Sequence, residues 1–238
     1  VFRRQIQLSK DLNLPFVVHT RDALEDTYEV IKEVGVGPRG GIMHSFSGSL
    51  EMAERFVKLG MSISFSGVVT FKKALDVQET AQHLPLEKIL VETDAPYLAP
   101  VPKRGRENKT AYTRYVVEKI AELRGLTVEE VAKATTENAK KLFLKFVEKW
   151  LEILDEHVEK VAIKPMKTRW GSCNYVKKYI NLNTELIKRT PFEIEYVILH
   201  ELTHLKYPNH GKGFYNYIER YMPNYKVAEK MLNAKHYY

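Results

Sequence analysis

The first half of the chain alternates short apolar runs with amphipathic segments, and this alternation constrains its fold more than any other feature. Four apolar runs are candidate strands: Leu14–His19, Gly40–Phe46, Met61–Gly67 and Lys88–Asp94. Between them, residues 21–34, 50–59 and 71–84 carry apolar side chains at a spacing of about 3.6, which is typical of helices. Strands that alternate with helices indicate βαβ units, so we predict an α/β fold built on a parallel sheet.

Composition limits the class of protein. The 238 residues include one cysteine, which excludes a disulfide scaffold and favours a reducing compartment. No apolar run approaches the roughly 18 residues that a membrane span needs, and the first residues show no secretory segment. These features predict a cytoplasmic globular protein that does not interact with membranes.

The two parts of the chain differ in charge and in aromatic content. Residues 1–144 carry 21 Lys and Arg against 19 Asp and Glu, whereas residues 145–238 carry 16 against 11. Both tryptophans and ten of the fourteen tyrosines also lie after residue 144. We therefore predict two units, 1–143 and 144–238, joined within a helix that runs to about Val158. The basic surplus makes DNA a candidate partner.

Three of the predicted strands end in a potential metal ligand: His19, His44 and Asp94. Active sites of (β/α) barrels are built at the carboxyl ends of the strands. Imidazole and carboxylate together suit zinc, iron or manganese, and such an ion can activate water for hydrolysis. Taken one at a time, each side chain could equally be an ordinary surface residue.

The motifs around these residues resemble the TatD family in sequence and in order. They are Pro15–Ala23, His44–Ser49, Glu92–Pro100, Arg104-Gly105 with Asn108, and Thr135–Ala139 with Leu142-Phe143. The resemblance implies a metal-dependent hydrolase, typically a deoxyribonuclease, on a TIM-type (β/α)₈ barrel. It implies that His19, His44 and Asp94 bind a divalent metal such as Mg²⁺, Mn²⁺ or Zn²⁺, and that Arg104 and Asn108 contact the substrate.

This resemblance covers residues 1–143 and corresponds to the C-terminal half of the family's barrel. The family's first-strand His-x-His motif and its middle-strand glutamate ligand have no counterpart in these residues. Half a barrel exposes two strand edges and an apolar inner face, so self-association through that open half-barrel is expected. We expect nuclease activity to require the missing ligands.

The strongest chemical motif in the second part is His200-Glu201-Leu202-Thr203-His204. Residues four apart lie on one face of a helix, so both imidazoles can bind one zinc ion. Glu201 can act as the general base, and His210 is the candidate third ligand. Thr190 as N-cap, with Pro191 at the first helical position, predicts where the helix begins, and Pro208 predicts its end.

Upstream of this motif, segments 161–169 and 178–182 are predicted strands that flank a turn at Trp170–Cys173. An extended peptide could dock along their edge. Trp170 is a candidate substrate contact. Cys173 has no activating base next to it in sequence, so we predict a structural role at the turn and no nucleophilic one.

The segments Lys167–Cys173, Ile180–Asn183 with Leu186, Tyr196–Leu205, and Asn209-His210 with Phe214 resemble YgjP-like metallopeptidases, which are related to SprT and WLM zinc peptidases. The resemblance spans residues 145–236 and implies an α+β zincin-like domain that lacks the family's N-terminal part. It implies zinc bound by His200, His204 and His210, with Glu201 catalytic.

These patterns lead to one main hypothesis and two alternatives. The main hypothesis is a zinc metallopeptidase that cleaves a peptide or protein substrate and is fused to a truncated TatD-like half. The first alternative is a TatD-type metal-dependent deoxyribonuclease. The second is a non-catalytic, metal-binding fusion fragment.

Overall fold

The computed structural model describes residues 1–189 and 191–233. Contacts among these residues divide the chain into two units, Val1–Lys141 and Leu142–Tyr238, and each is described separately.

The first unit is an α/β structure built on four parallel strands. They are β1 (Phe16–His19), β2 (Gly41–His44), β3 (Met61–Phe65) and β4 (Ile89–Val91), and they lie in the order β1-β2-β3-β4. The prediction of a parallel sheet is confirmed. Its helices are α1 (Phe2–Asp11), α2 (Leu24–Val34), α3 (Leu50–Lys58), α4 (Leu75–His83) and α5 (Thr113–Arg124).

The two faces of this sheet have different environments. Because side chains alternate along a strand, Val18 and Met43 point to one face while His19 and His44 point to the other. The first face forms the core, where Met43, Ile63 and Phe65 are buried in one cluster with apolar residues of the helices. On the opposite face Val17 is 65% exposed. The histidines therefore lie on the open face of the sheet.

The elements of the first unit are shorter than the predicted ones for local reasons. β2 ends at His44 because Ser45 takes a positive φ of 45°, which no strand residue adopts. The predicted helix 71–84 begins only at Leu75, because Ala74 before it has a non-helical ψ of 53°. Gly67–Thr70 forms a 3₁₀ turn upstream. The Gln78 amide stabilises that turn by donating to the carbonyls of Val69 and Phe71.

One long helix, α6 (Val128–Leu154), contains the predicted join near residue 144. It ends four residues before Val158 because Asp155 adopts a left-handed conformation with φ 51°. The N–H of Glu156 then donates to the carbonyl of Leu151, which closes the helix end. No helix among the described residues has both the length and the apolar character that crossing a membrane requires.

The second unit packs helices against a three-stranded mixed sheet. Its strands β5 (Lys160–Lys164), β6 (Gly171–Asn174) and β7 (Tyr179–Asn183) lie in the order β5-β7-β6, with β5 parallel and β6 antiparallel to β7. Helices α7 (Pro191–Thr203), α8 (Lys212–Tyr221) and α9 (Tyr225–Asn233) follow. Helix α7 contacts β6, β7, α8 and α9, so it is the central element of this unit.

Three predictions for this unit need correction. The predicted turn at 170–173 is largely strand β6, and the predicted strand 178–182 is the central strand β7, whose edges are both paired. Helix α7 ends at Thr203, so His204 lies in the turn that follows. That turn continues the helical bonding, since the N–H of Tyr207 donates to the carbonyl of Thr203. The predicted cap Thr190 lies outside the described residues.

Candidate metal centres

The first candidate centre lies at the carboxyl end of the parallel sheet. His19 and His44 are the last residues of β1 and β2 and are paired in register, with ring centroids 5.8 Å apart. Asp94 follows β4 and adopts φ 57°, a conformation that costs a non-glycine residue free energy and is often found at functional sites. Its Oδ1 lies 3.3 Å from Nε2 of His44.

His44 lies between two carboxylates. Its Nδ1 is 2.8 Å from Oε1 of Glu92, while its Nε2 faces Asp94. The hydrogen bond to Glu92 is the main cause that raises the pKa of His44, and partial burial opposes it. A carboxylate on Nδ1 leaves Nε2 as the metal-binding atom, which is the usual arrangement around ligating histidines.

Glu92 is a site residue that the sequence analysis did not assign. Its Oε1 accepts a hydrogen bond from the backbone N–H of Ser45 (2.6 Å), and its Oε2 accepts one from the hydroxyl of Ser64 (2.7 Å). The carboxylate is thus held by partners from two strand segments, those of β2 and β3. The available signal was its position two residues before Asp94 in the same motif.

The two predicted substrate contacts of this unit, Asn108 and Arg104, differ in burial and in the groups that they contact. Asn108 is 3% exposed, and its amide donates to the carbonyls of Thr93 and Tyr97 at 2.6 Å each. Its side chain therefore holds the loop after β4 in place, and its predicted contact with substrate stays a prediction. Arg104 is exposed, and its guanidinium lies 3.8 Å from the ring centroid of Phe71.

The second candidate centre brings together His200, His204 and His210. Nε2 of His210 lies 3.0 Å from Nε2 of His200 and 3.1 Å from Nε2 of His204. Within residues 1–189 and 191–233, this is the one group of three metal-binding side chains whose donor atoms all lie within 4.8 Å of each other. Tetrahedral zinc with bonds of about 2.05 Å places its nitrogen ligands about 3.3 Å apart, so the three imidazoles fit zinc.

Neighbouring residues orient these imidazoles. The fully buried ring of Phe214 on α8 has its centroid 4.9, 4.7 and 4.6 Å from those of His200, His204 and His210. Nδ1 of His204 lies 3.3 Å from the carbonyl oxygen of Tyr207. An N–H at that position would donate to the carbonyl and leave Nε2 free for the metal.

Burial controls the electrostatics of this centre. It lowers the pKa of His200 to about 3, with further lowering by the charges of His204 and His210. The His200 imidazole is therefore neutral near pH 7, as metal binding requires. Burial also raises the pKa of the Glu201 carboxyl to about 8, against a lowering effect of Arg169. Glu201 can therefore take up and hold a proton near neutral pH.

A pocket of about 490 Å³ opens onto this centre. Trp170 lines it, with the guanidinium of Arg189 4.5 Å from its ring centroid. Cys173 also lines it, and burial raises the pKa of its thiol to about 11, which agrees with a non-nucleophilic role. β6, the edge strand in this wall, is where an extended peptide could pair.

Taken alone, the first unit defines a class: a parallel α/β unit with imidazole and carboxylate ligands at the carboxyl ends of its strands. The family model described as TatD related DNase matches residues 1–144, and the chain belongs to this family. Over 143 residues it is 50% identical to the uncharacterized metal-dependent hydrolase YabD of Bacillus subtilis (strain 168), covering 60% of this chain and 56% of that protein.

Solved structures show the same relationship. The crystal structure of YjjV, a TatD homologue from Escherichia coli K12, matches with a TM-score of 0.55 and 35% identity, over 58% of this chain and 53% of that one. The chain thus spans about half the length of the curated relatives it matches. The metallopeptidase zymogen jannalysin of Methanocaldococcus jannaschii is 29% identical over 38% of this chain, but its TM-score of 0.35 does not establish a shared fold.

Proposed function

We propose that the protein is a metal-dependent hydrolase and that its first unit acts on phosphodiester bonds in DNA. The observation that carries this proposal is the family match over residues 1–144, with relatives named as metal-dependent hydrolases. The comparisons favour this function over peptide hydrolysis, the main hypothesis from the sequence. The proposal requires that His19, His44 and Asp94 suffice to hold the metal, contrary to the expectation that the family's His-x-His and glutamate ligands are needed.

The residues at the strand ends would have different roles in this reaction. His19, His44 and Asp94 would hold a divalent metal, and their imidazole and carboxylate donors suit such an ion. When bound, the metal supplies a Lewis acid and activates water for attack on phosphorus. Glu92 orients His44 through Nδ1. Arg104 would contact a phosphate, and the exposure of its guanidinium beside Phe71 supports this role.

A substitution at Asp94 tests the proposal. Asp94→Asn removes the charge and should lower the rate at which the full chain cleaves a labelled DNA oligonucleotide by about a hundredfold or more. Asp26→Asn, at an exposed position of α2, is the matched control. Retention of the full rate in Asp94→Asn, or absence of cleavage by the parent chain with Mg²⁺, Mn²⁺ or Zn²⁺, would contradict the proposal.

A second candidate function is peptide-bond hydrolysis at the second centre. It is favoured by the convergence of the three Nε2 atoms of His200, His204 and His210 beside the buried Glu201. Zinc, when bound there, supplies a Lewis acid for the peptide carbonyl and activates water. Glu201 would accept the proton from water and pass it to the leaving amine, which its raised pKa allows.

Glu201→Gln separates catalysis from metal binding. We expect this variant to keep about one zinc per chain and to lose cleavage of an unfolded protein substrate by about a hundredfold or more. Glu219→Gln, at an exposed position of α8, should keep the activity. Full activity of Glu201→Gln, or a zinc-loaded parent chain that cleaves no peptide, would rule out this function.

A further inference from the structure

The pocket beside the second centre extends from the histidines to helix α9. Glu229, Leu232 and Asn233 of α9 line it, as do Trp170 and, on β6, Gly171–Cys173. Its volume of about 490 Å³ leaves room for a substrate side chain beside the candidate metal centre. The chemistry of α9 then decides which side chains fit.

Glu229 is held in position by a tyrosine that also contacts the metal centre. Tyr196, 5% exposed on α7, lies with its hydroxyl 3.3 Å from Oε1 of Glu229 and can donate a hydrogen bond to it. The ring of Tyr196 meets the ring of His200 edge-on, with centroids 5.8 Å apart, and stacks on Tyr225 at 6.0 Å. The same tyrosine therefore contacts both the carboxylate of Glu229 and the candidate zinc ligand His200.

The charges around the pocket leave Glu229 available to a ligand. Among the described residues, its carboxylate has the Tyr196 hydroxyl as hydrogen-bond partner and no cationic group within 4.0 Å. Arg169, the cation that lines the pocket, acts on Glu201. Lys226 and Lys230 line a separate hollow that Glu229 and Asn233 also line, and neither ammonium group forms an ion pair with Glu229 among the described residues.

We propose that Glu229 selects substrates with a lysine or arginine side chain close to the bond that is cleaved. This inference rests on the second candidate function and names its substrate class. The ammonium or guanidinium group would pair with the carboxylate of Glu229, which is already partly removed from water. The aliphatic stem of the same side chain would pack on the buried Leu232.

Matched peptides test the selection. The zinc-loaded full chain is given peptides that differ at one position, with lysine, norleucine or glutamate there. We expect kcat/KM for the lysine peptide to exceed that for norleucine by about tenfold or more, and the glutamate peptide to be the poorest. Glu229→Gln should remove most of the lysine preference, and Glu229→Lys should reverse the order of lysine and glutamate. Glu219→Gln should keep the preference of the parent chain.

A binding measurement separates this inference from the proposed catalysis. Fluorescence anisotropy of labelled peptides on zinc-loaded Glu201→Gln reports selection without cleavage. A lysine preference in binding that Glu229→Gln abolishes supports the inference even if the parent chain cleaves nothing, and in that case catalysis alone fails. Equal affinity for lysine, norleucine and glutamate peptides, or a preference that survives in Glu229→Gln, overturns the inference whether or not peptides are cleaved. Zinc content and circular dichroism of each variant confirm that it is folded.

Discussion

At the scale of single residues, Glu92 connects the first metal centre to the sheet. Its carboxylate meets Nδ1 of His44, the N–H of Ser45 and the hydroxyl of Ser64. Glu92→Gln keeps the shape of the side chain but removes the charge that fixes the imidazole. We expect metal affinity of the first unit to fall by about 10–100-fold. Calorimetric titration with Mn²⁺ measures the change, and Glu54→Gln, exposed on α3, is the control.

Cys173 gives a prediction about pH. Because burial raises the pKa of its thiol to about 11, the reactive thiolate is scarce below that pH. The rate of alkylation by iodoacetamide should therefore rise about tenfold per pH unit between pH 7 and pH 10 and level off only near pH 11. The same chain unfolded in guanidinium should level off near pH 8.5 to 9. A folded chain that reaches its plateau near pH 8 would contradict the assigned environment.

At the scale of elements, the packing of β6 against α7 positions Glu201. A Cβ at Gly171 would lie 2.6 Å from both Cγ and Oε1 of Glu201, a residue that is 6% exposed. Gly171→Ala should therefore displace Glu201, destabilise the fold by about 1–3 kcal/mol and reduce peptide cleavage at least tenfold. Zinc binding should persist, since the three atoms nearest to that Cβ all belong to Glu201 and none to a histidine.

Gly211→Ala is the matched control, because nothing lies within 4 Å of a Cβ at that position. Zinc content, unfolding midpoints in urea and peptide cleavage are compared across the parent chain and both variants. Unchanged cleavage by Gly171→Ala would show that β6 does not restrict Glu201.

The same scale shows which elements could be predicted from the sequence. The four strands of the first unit and its helices α2, α3 and α4 follow from their apolar periodicity, and the parallel sheet follows from their alternation. Their ends could not be predicted, because Ser45 and Asp155 stop their elements by adopting positive φ. The order β5-β7-β6 also could not be predicted, since strand pairing depends on contacts between residues distant in sequence.

At the scale of the whole molecule, tryptophan fluorescence can report the unfolding of the second unit by itself. Both tryptophans, Trp150 and Trp170, lie in that unit. Zinc bound only by the folded state should raise the stability reported by tryptophan fluorescence by about 2.7 kcal/mol at a hundredfold excess over its Kd. His200→Ala should abolish this effect, whereas His157→Ala, at an exposed position, should retain it. A zinc effect of the same size in His200→Ala would place the bound zinc elsewhere.

The sequence by itself determined which residues have the chemistry of a site. His19, His44 and Asp94 were found from their positions at strand ends, and His200, Glu201 and His204 from their helical spacing, because both patterns are local in the chain. The tertiary structure decided what surrounds them. Strand register and helix packing bring three further residues to the candidate centres. Glu92 contacts His44, Phe214 contacts the three imidazoles, and Glu229 lines the pocket. Such contacts join residues far apart in sequence. Their distances and burial determine the pKa values of the side chains and whether the donor atoms can hold a metal, and both are defined only in the folded chain.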